Sequence, residues 1–239
     1  FVIIYKSTRV VNLAIGEMLM LGAYLCYGLI VGMGLPVWVA LLLAVLGSGV
    51  TGGVIERLAI RPMLGESPIS VFMVTVGLAA VLVGLVELVW TADPRRMPTS
   101  MPEGAIFIGE AFISSKVFWG FIVTVILIAA VLLVFRYWRG GVALRATASD
   151  QPAAYSMGIN VPRVFSLSWT VAAMIAAVAG VVVGAIGGIS PAMGIFGLSV
   201  LVVVIVGGLD SVLGALVAGV AIGLIEAWAS GFLGGEYKI

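Results

Sequence analysis

The stretch VFSLSWTVAAMIAAVAGVVVGAIGGISPAMGIFGLSVLVVVIVGGLDSVLGALVAGVAIGLIEAWAS, residues 164–230, carries only two charged side chains, Asp210 and Glu226. Glycine and proline clusters divide it at Gly187 to Gly197 and again at Gly207 to Gly214. A helix crossing the ~30 Å hydrocarbon core of a bilayer needs roughly 20 apolar residues. The stretch therefore reads as two full spans around a short piece, Ile195 to Val206. That piece is either a broken or re-entrant segment, tolerated at membrane depth where protein or a water-filled cavity satisfies its backbone, or the sequel to a plain interhelical turn at Gly187 to Gly194. Toward the N-terminus four further runs are long enough to span: Asn12 to Met33, Pro36 to Ile55, Pro68 to Thr91 and Val117 to Phe135. The expected fold is all-α, a polytopic membrane protein forming a single transmembrane domain over residues 1–239, with about seven transmembrane or partly re-entrant helices.

Composition supports this reading and excludes several functions. Of the 239 residues, 62% are hydrophobic and 10% charged, more apolar side chain than a soluble domain of this length can bury. The 32 glycines suit a bilayer, where small residues let helix backbones approach closely. A formal net charge of +1, with no basic patch, gives nucleic acid nothing to bind. Histidine is absent, which removes the commonest metal ligand and the usual general base. No Gly-Lys dipeptide occurs, so the chain holds no G-x-x-x-x-G-K-[ST] phosphate loop, and any ATP and magnesium must be bound by another subunit. Cys26, the single cysteine, lies in an apolar run and reads as packing.

Orientation follows from Lys and Arg in the short loops. Placing the segment after the fourth span in the cytoplasm puts Lys6, Arg9, Arg57, Arg61, Arg136, Arg139, Arg145 and Arg163 inside, and only Arg95, Arg96, Lys116 and Lys238 outside. Asp93, Glu103 and Glu110 dilute the outer loop further. The longest inside segment, 136–163, reads RYWRGGVALRATASDQPAAYSMGINVPR. Gly140 and Gly141 end one helix, and Ala143 to Thr147 and Gln151 to Met157 suit helix. Ser149 or Asp150 caps the second piece, with Pro152 in its first turn and Gly158 at its end. A short helix lying across the membrane surface is expected, with Ala153 and Ala154 so small that another protein's groove can approach the backbone.

Ala153, Ala154 and Gly158 stand in the spacing A-A-x-x-x-G and resemble the cytoplasmic EAA loop of ABC importer permeases, with Pro152 where glutamate is usual. More specifically, Gly141, Arg145, Ala146, Asp150, Ala154, Gly158, Ile159 and Asn160 match the pattern G-x-x-x-R-A-x-x-x-D-x-x-x-A-x-x-x-G-I-N of branched-chain amino acid permeases of the LivH type. NLAIGEMLMLGAY from Asn12, ERLAIRPM from Glu56 and GGLDSVLGALVAG from Gly207 are also similar to that family. The resemblance covers essentially the whole chain, although the family has a further span before residue 1 and another after residue 239, and both are expected to be missing. It implies a non-enzymatic pore subunit in the bacterial inner membrane whose 136–163 loop sits in a cleft of an ATPase. The implied partners are two cytoplasmic ATPases that bind the ATP, a second permease forming a heterodimer, an extracytoplasmic binding protein and the lipid bilayer. Arg145 and Asp150 are expected either to pair across the ATPase interface or to pair with each other or with headgroups.

Inside the membrane a charge at a helix centre costs at least ~2.5 to 3.5 kcal/mol, so Glu17, Glu87 and Glu226 each need a partner, water or a proton. Glu226, far from any loop, and Glu17, in NLAIGE, are candidates for the substrate pathway. Asn12 and Gly16 mark an irregular helix start whose free N–H groups could meet a carboxylate, or else a structural cap or kink. Gly180, Gly184 and Gly188, like Ala215, Gly219 and Gly223, have small-xxx-small spacing that places each set on one helix face for packing. Gly207, Gly208 and Gly214 surround Asp210 in a hinge, a second ATPase contact or a solvated turn. Two rivals remain: the same architecture for urea or short amides, and a lone secondary transporter or channel. The second would show paired intramembrane charges and need no docking helix. No nucleophile and base pair supports an intramembrane enzyme.

Overall fold

The computed structural model describes residues 1–98, 101–102, 104–108 and 111–232; Glu103, Glu110 and Lys238, named above for the outer loops, lie outside the described residues. Among the described residues six helices are long and apolar enough to cross a membrane, Ile15–Gly32, Val37–Met63, Ile69–Trp90, Ser115–Tyr137, Val161–Gly187 and Val212–Phe232, with a shorter apolar helical segment over Pro191–Gly207. The helices in chain order are α1 (Val2–Thr8), α2 (Ile15–Tyr27), α3 (Val37–Ile55), α4 (Pro68–Trp90), α5 (Ser115–Tyr137), α6 (Arg139–Ser149), α7 (Gln151–Ser156), α8 (Val161–Gly187), α9 (Phe196–Gly207) and α10 (Val212–Phe232). Two of them end in a π turn, α2 through Gly28–Gly32 and α3 through Glu56–Ile60.

The first span begins later than the hydropathy reading places it. Arg9 closes α1 in the left-handed region at φ 56, and the chain then runs irregularly to Ile15. That irregular stretch is satisfied by protein: Leu13 N–H donates to Thr75 Oγ1 of α4 at 3.3 Å, and Ala14 N–H donates to Asn12 Oδ1 at 3.0 Å. Thr75 lies two turns into α4, so α2 starts inside the bundle, where an unpaired N–H would be costly.

The short segment crosses the bundle. Its entry follows Ile189, which exchanges two 2.8 Å backbone hydrogen bonds with Arg95, beyond the end of α4. Its exit is the turn holding Asp210, paired with Arg9 at the opposite end. Between them, five 3₁₀ residues, Pro191–Ile195, and the 12 residues of α9 cover about 10 Å and about 18 Å. Arg95 lies beyond the end of α4 and Arg9 beside Ile69 and Val71 at its start, so the segment runs from one end of the bundle to the other and does not return to the side it entered, although it is shorter than the six spans.

The core is the mutual packing of α2, α3 and α8, and it depends on missing side chains. A Cβ on Gly22 would strike Ala177, one on Gly180 would strike the Leu19 carbonyl, and one on Gly52 would strike Ala173 and the Trp169 carbonyl. Trp169, Tyr24, Met20, Cys26 and Ala23 are fully buried there, and Tyr24 meets the ring of Trp90 at 5.7 Å between centroids. One element is additional to the expected all-helical chain. In the loop after α4, β1 (Ala105–Ile108) pairs antiparallel with β2 (Ala111–Ser114), with Ile106 opposite Ile113 and Phe107 opposite Phe112.

Candidate functional site

The segment 136–163 is built by residues that each define one turn. Trp138 is extended between α5 and α6, and buried Gly141 lets α6 pass so close that a Cβ would meet the Phe135 backbone. Arg145 folds back to donate to the carbonyls of Phe135 and Arg136, partnering oxygens that the end of α5 leaves free. Asp150 breaks the helix in an extended conformation and accepts from Ala153 N–H at 3.0 Å, the side-chain cap of α7. Gly158, at φ 85, ends that helical turn, with Ile159 N–H returning to the Ala154 carbonyl. Asn160 Oδ1 then accepts from Arg163 N–H at 3.1 Å and starts α8.

This geometry changes two expectations. Arg145 and Asp150 do not pair with each other; within the chain each hydrogen-bonds to backbone. Only one of the two alanines is free: Ala154 is buried, whereas Ala153 is exposed beside Pro152, Tyr155 and Met157, and Ala146 is half-buried. The loop is also fastened to the membrane body. Gln151 Nε2 donates to the Ser7 carbonyl at 3.1 Å, Arg9 reaches the Ala148 carbonyl, and Ser7 and Ser168 hydroxyls meet at 2.6 Å. Arg9 also makes a two-oxygen contact with Asp210 at 3.0 and 3.1 Å, so Asp210 is engaged within the chain.

The pathway candidates divide. Asn12 is buried, and its amide caps Ala14 and reaches Met18 Sδ, so the N–H groups that could have met a carboxylate at residues 13 and 14 are occupied. Gly16 is no open surface either: it packs on the backbone of Gly194 and Gly197. Glu17 stands out, with Oε1 beside Gly194, which has no side chain to obstruct it, and Oε2 buried without a partner. A groove of 180 Å³ is walled by Ile15, Gly16, Leu19, Ala176, Phe196 and Gly197 among others, and Glu17 is not part of its wall. Glu226 is half-buried on α10 and has no part in the hydrogen bonds or ion pairs among the described residues that hold Asn12 and its neighbours.

The glycines also divide. Gly180 faces α2 at the Leu19 carbonyl and Gly184 packs on Ile189 with Ala23 of α2 farther off, but Gly188 does not share their face: it lies beyond the end of α8 at φ 85, where a turn is needed. Gly207 and Gly214 let the backbones of α9 and α10 touch, Gly208 takes φ 96 between them, and Gly219 approaches Val203. The sequence reading missed Glu56. It is fully buried, accepts from Arg61 Nε at 3.2 Å and Nη2 at 3.1 Å, and accepts from Ser166 Oγ at 2.6 Å. The available signal was an acid closing an apolar run with an arginine five residues on.

A family model described as "Branched-chain amino acid transport system / permease component" matches residues 1–238. The chain is 32% identical over 255 residues to the high-affinity branched-chain amino acid transport system permease protein LivH of Escherichia coli, covering all of this chain and 82% of the relative. It is 28% identical to BraD of Pseudomonas aeruginosa, a permease protein of the same description, again over all of the chain and 82% of the relative. It is 28% identical over 246 residues to a probable LivH of Methanocaldococcus jannaschii, covering 98% of the chain and 76% of the relative. No solved structure matches. With six apolar spans among the described residues and this family match, the chain is a multi-pass membrane protein and belongs to the permease components of branched-chain amino acid transport systems.

Proposed function

We propose that this chain is a membrane-spanning subunit of an ATP-driven importer of branched-chain amino acids in the cell (inner) membrane. The observation that carries the proposal is the α6–α7 loop: a capped two-helix element, fixed to the membrane body at Ser7 and Arg9, that displays Ala153, Tyr155 and Met157 outward. A passive linker needs none of these devices. In this reading the loop faces the cytoplasm and seats in an ATPase subunit. Two such subunits bind ATP and magnesium, a second and different permease completes the path, and an external binding protein delivers substrate. The path passes Glu17, whose buried Oε2 has no partner among the described residues and suits an ammonium group.

The test is uptake of labelled leucine into vesicles holding the reconstituted complex, with ATP inside and urea as competitor. ATP-dependent uptake that needs the binding protein and ignores urea supports the reading. Uptake of urea or short amides in its place changes the substrate and keeps the architecture. Transport without any ATPase refutes it in favour of a lone transporter.

A further inference from the structure

The coupling loop re-enters the membrane at Val161, the first residue of α8, and the fully buried carboxylate of Glu56 sits beside that point. Arg61 Nη2 donates to the Pro162 carbonyl at 3.2 Å and to Ser166 Oγ at 2.6 Å, and Ser166 Oγ in turn donates to Glu56 Oε2. One ion pair, with Glu56 opening the π turn that follows α3 and Arg61 just after that turn, thus grips the first turn of α8 through a backbone carbonyl and a hydroxyl. Burying a carboxylate is costly unless it is both paired and hydrogen-bonded, and here both conditions are met by groups that also define where α8 begins. Above this grip glycines of α3 let the two helices approach closely. Gly52 lies against the Trp169 carbonyl and Ala173, Gly49 against Met174, and Gly53 against the Thr170 hydroxyl.

We propose that α3 and α8 move as one body, and that Glu56 and Arg61 are positioning residues that transmit displacement of the coupling loop into that body. The proposal rests on the ATP-driven reading above. Packed interfaces of this density move as rigid units and do not deform continuously. A push on α7 therefore reaches the Pro162 carbonyl and passes through Arg61 and Glu56 into α3, so both spans tilt together.

The experiment uses the reconstituted complex and reads leucine transported per ATP hydrolysed. Glu56→Gln keeps the shape and removes the charge that holds Arg61; it is expected to lower that ratio about tenfold, within the range of mutations that modulate coupling between distant sites, while ATP hydrolysis continues. Arg61→Lys, which keeps the charge but not the fork, is expected to retain part of the ratio. A Glu56→Gln complex that assembles and transports at the wild-type ratio overturns the proposal. A second measurement stands even where these variants fail to fold: a disulfide between Cys residues introduced by Gly53→Cys and Thr170→Cys locks α3 to α8. Transport that persists after oxidation, and equals that of the reduced form, is the expected result. Transport that stops on oxidation and returns on reduction shows that the two helices must slide and overturns the single-body assignment. Failure of the importer reading itself shows separately, as wild-type protein that takes up no leucine on ATP.

Discussion

The α2–α3–α8 core and the outer helices α5 and α10 are written in the same apolar alphabet but play opposite structural parts. In its most apolar stretch α8 has 44% of its residues buried, whereas α5 and α10 have 6% each. Hydropathy does not separate them, since α5 is the most apolar span of all. Small residues do, through position and not number: Gly22, Gly52 and Gly180 lie where a neighbouring backbone or methyl group fills the space of a side chain, while Gly223 and Gly231 on α10 have nothing within 4 Å. In a bilayer apolarity gets a helix into the membrane, and close backbone approach decides what it packs against. The core is thus the closely packed part of the molecule, while α5 and most of α10 beyond its contact with α9 at Gly214 are left to face lipid or another protein.

The comparison breaks most visibly under added bulk. Gly180→Leu forces a side chain into the Leu19 carbonyl, and overpacking of this kind costs about 1–3 kcal/mol; thermal unfolding of the detergent-solubilised protein is expected to show a clear drop. Gly223→Leu in α10 meets open space and is expected to stay within about 0.5 kcal/mol of the parent. Equal losses at both positions would erase the distinction between core and outer helices.

Asp150→Ala removes the side-chain cap of α7, a loss of about 1 kcal/mol. Hydrogen exchange over residues 151–156 is expected to quicken while the amides of α8 keep their protection, which sharpens the boundary between the loop and the core. The smallest effect belongs to Arg9 and Asp210, whose side chains are more than half exposed at 54% and 59%. Screened by water, the pair contributes about 0–1 kcal/mol, and a double-mutant cycle with Arg9→Ala and Asp210→Ala is expected to return a coupling in that range that shrinks with salt.

Much of this architecture is legible in the sequence because it is local. The spans appear as apolar runs, and the α6–α7 loop appears as caps: Asp150 before α7, Gly158 after it and Asn160 before α8 each act on backbone within a few residues. What escapes a local reading depends on partners far along the chain. Ser7 meets Ser168, Glu56 meets Ser166, and Arg9 meets Asp210, and no periodicity encodes such pairings. Gly188 illustrates the same limit, since its spacing from Gly184 fits a packing face but the helix has already ended. The β-hairpin lies between these cases: AIFI and AFIS are strand-like but short, and a two-stranded ribbon is marginal by itself.

The most direct test of the central claim, that the α6–α7 loop is where the ATPase drives this permease, is Ala153→Arg. Ala153 is exposed on α7 and a long side chain there leaves the fold intact while obstructing a docking groove. Loss of ATPase co-purification and of ATP-dependent leucine uptake, with unchanged thermal unfolding of the permease, is the predicted result; a variant that still binds the ATPase and transports at the wild-type rate would contradict the account.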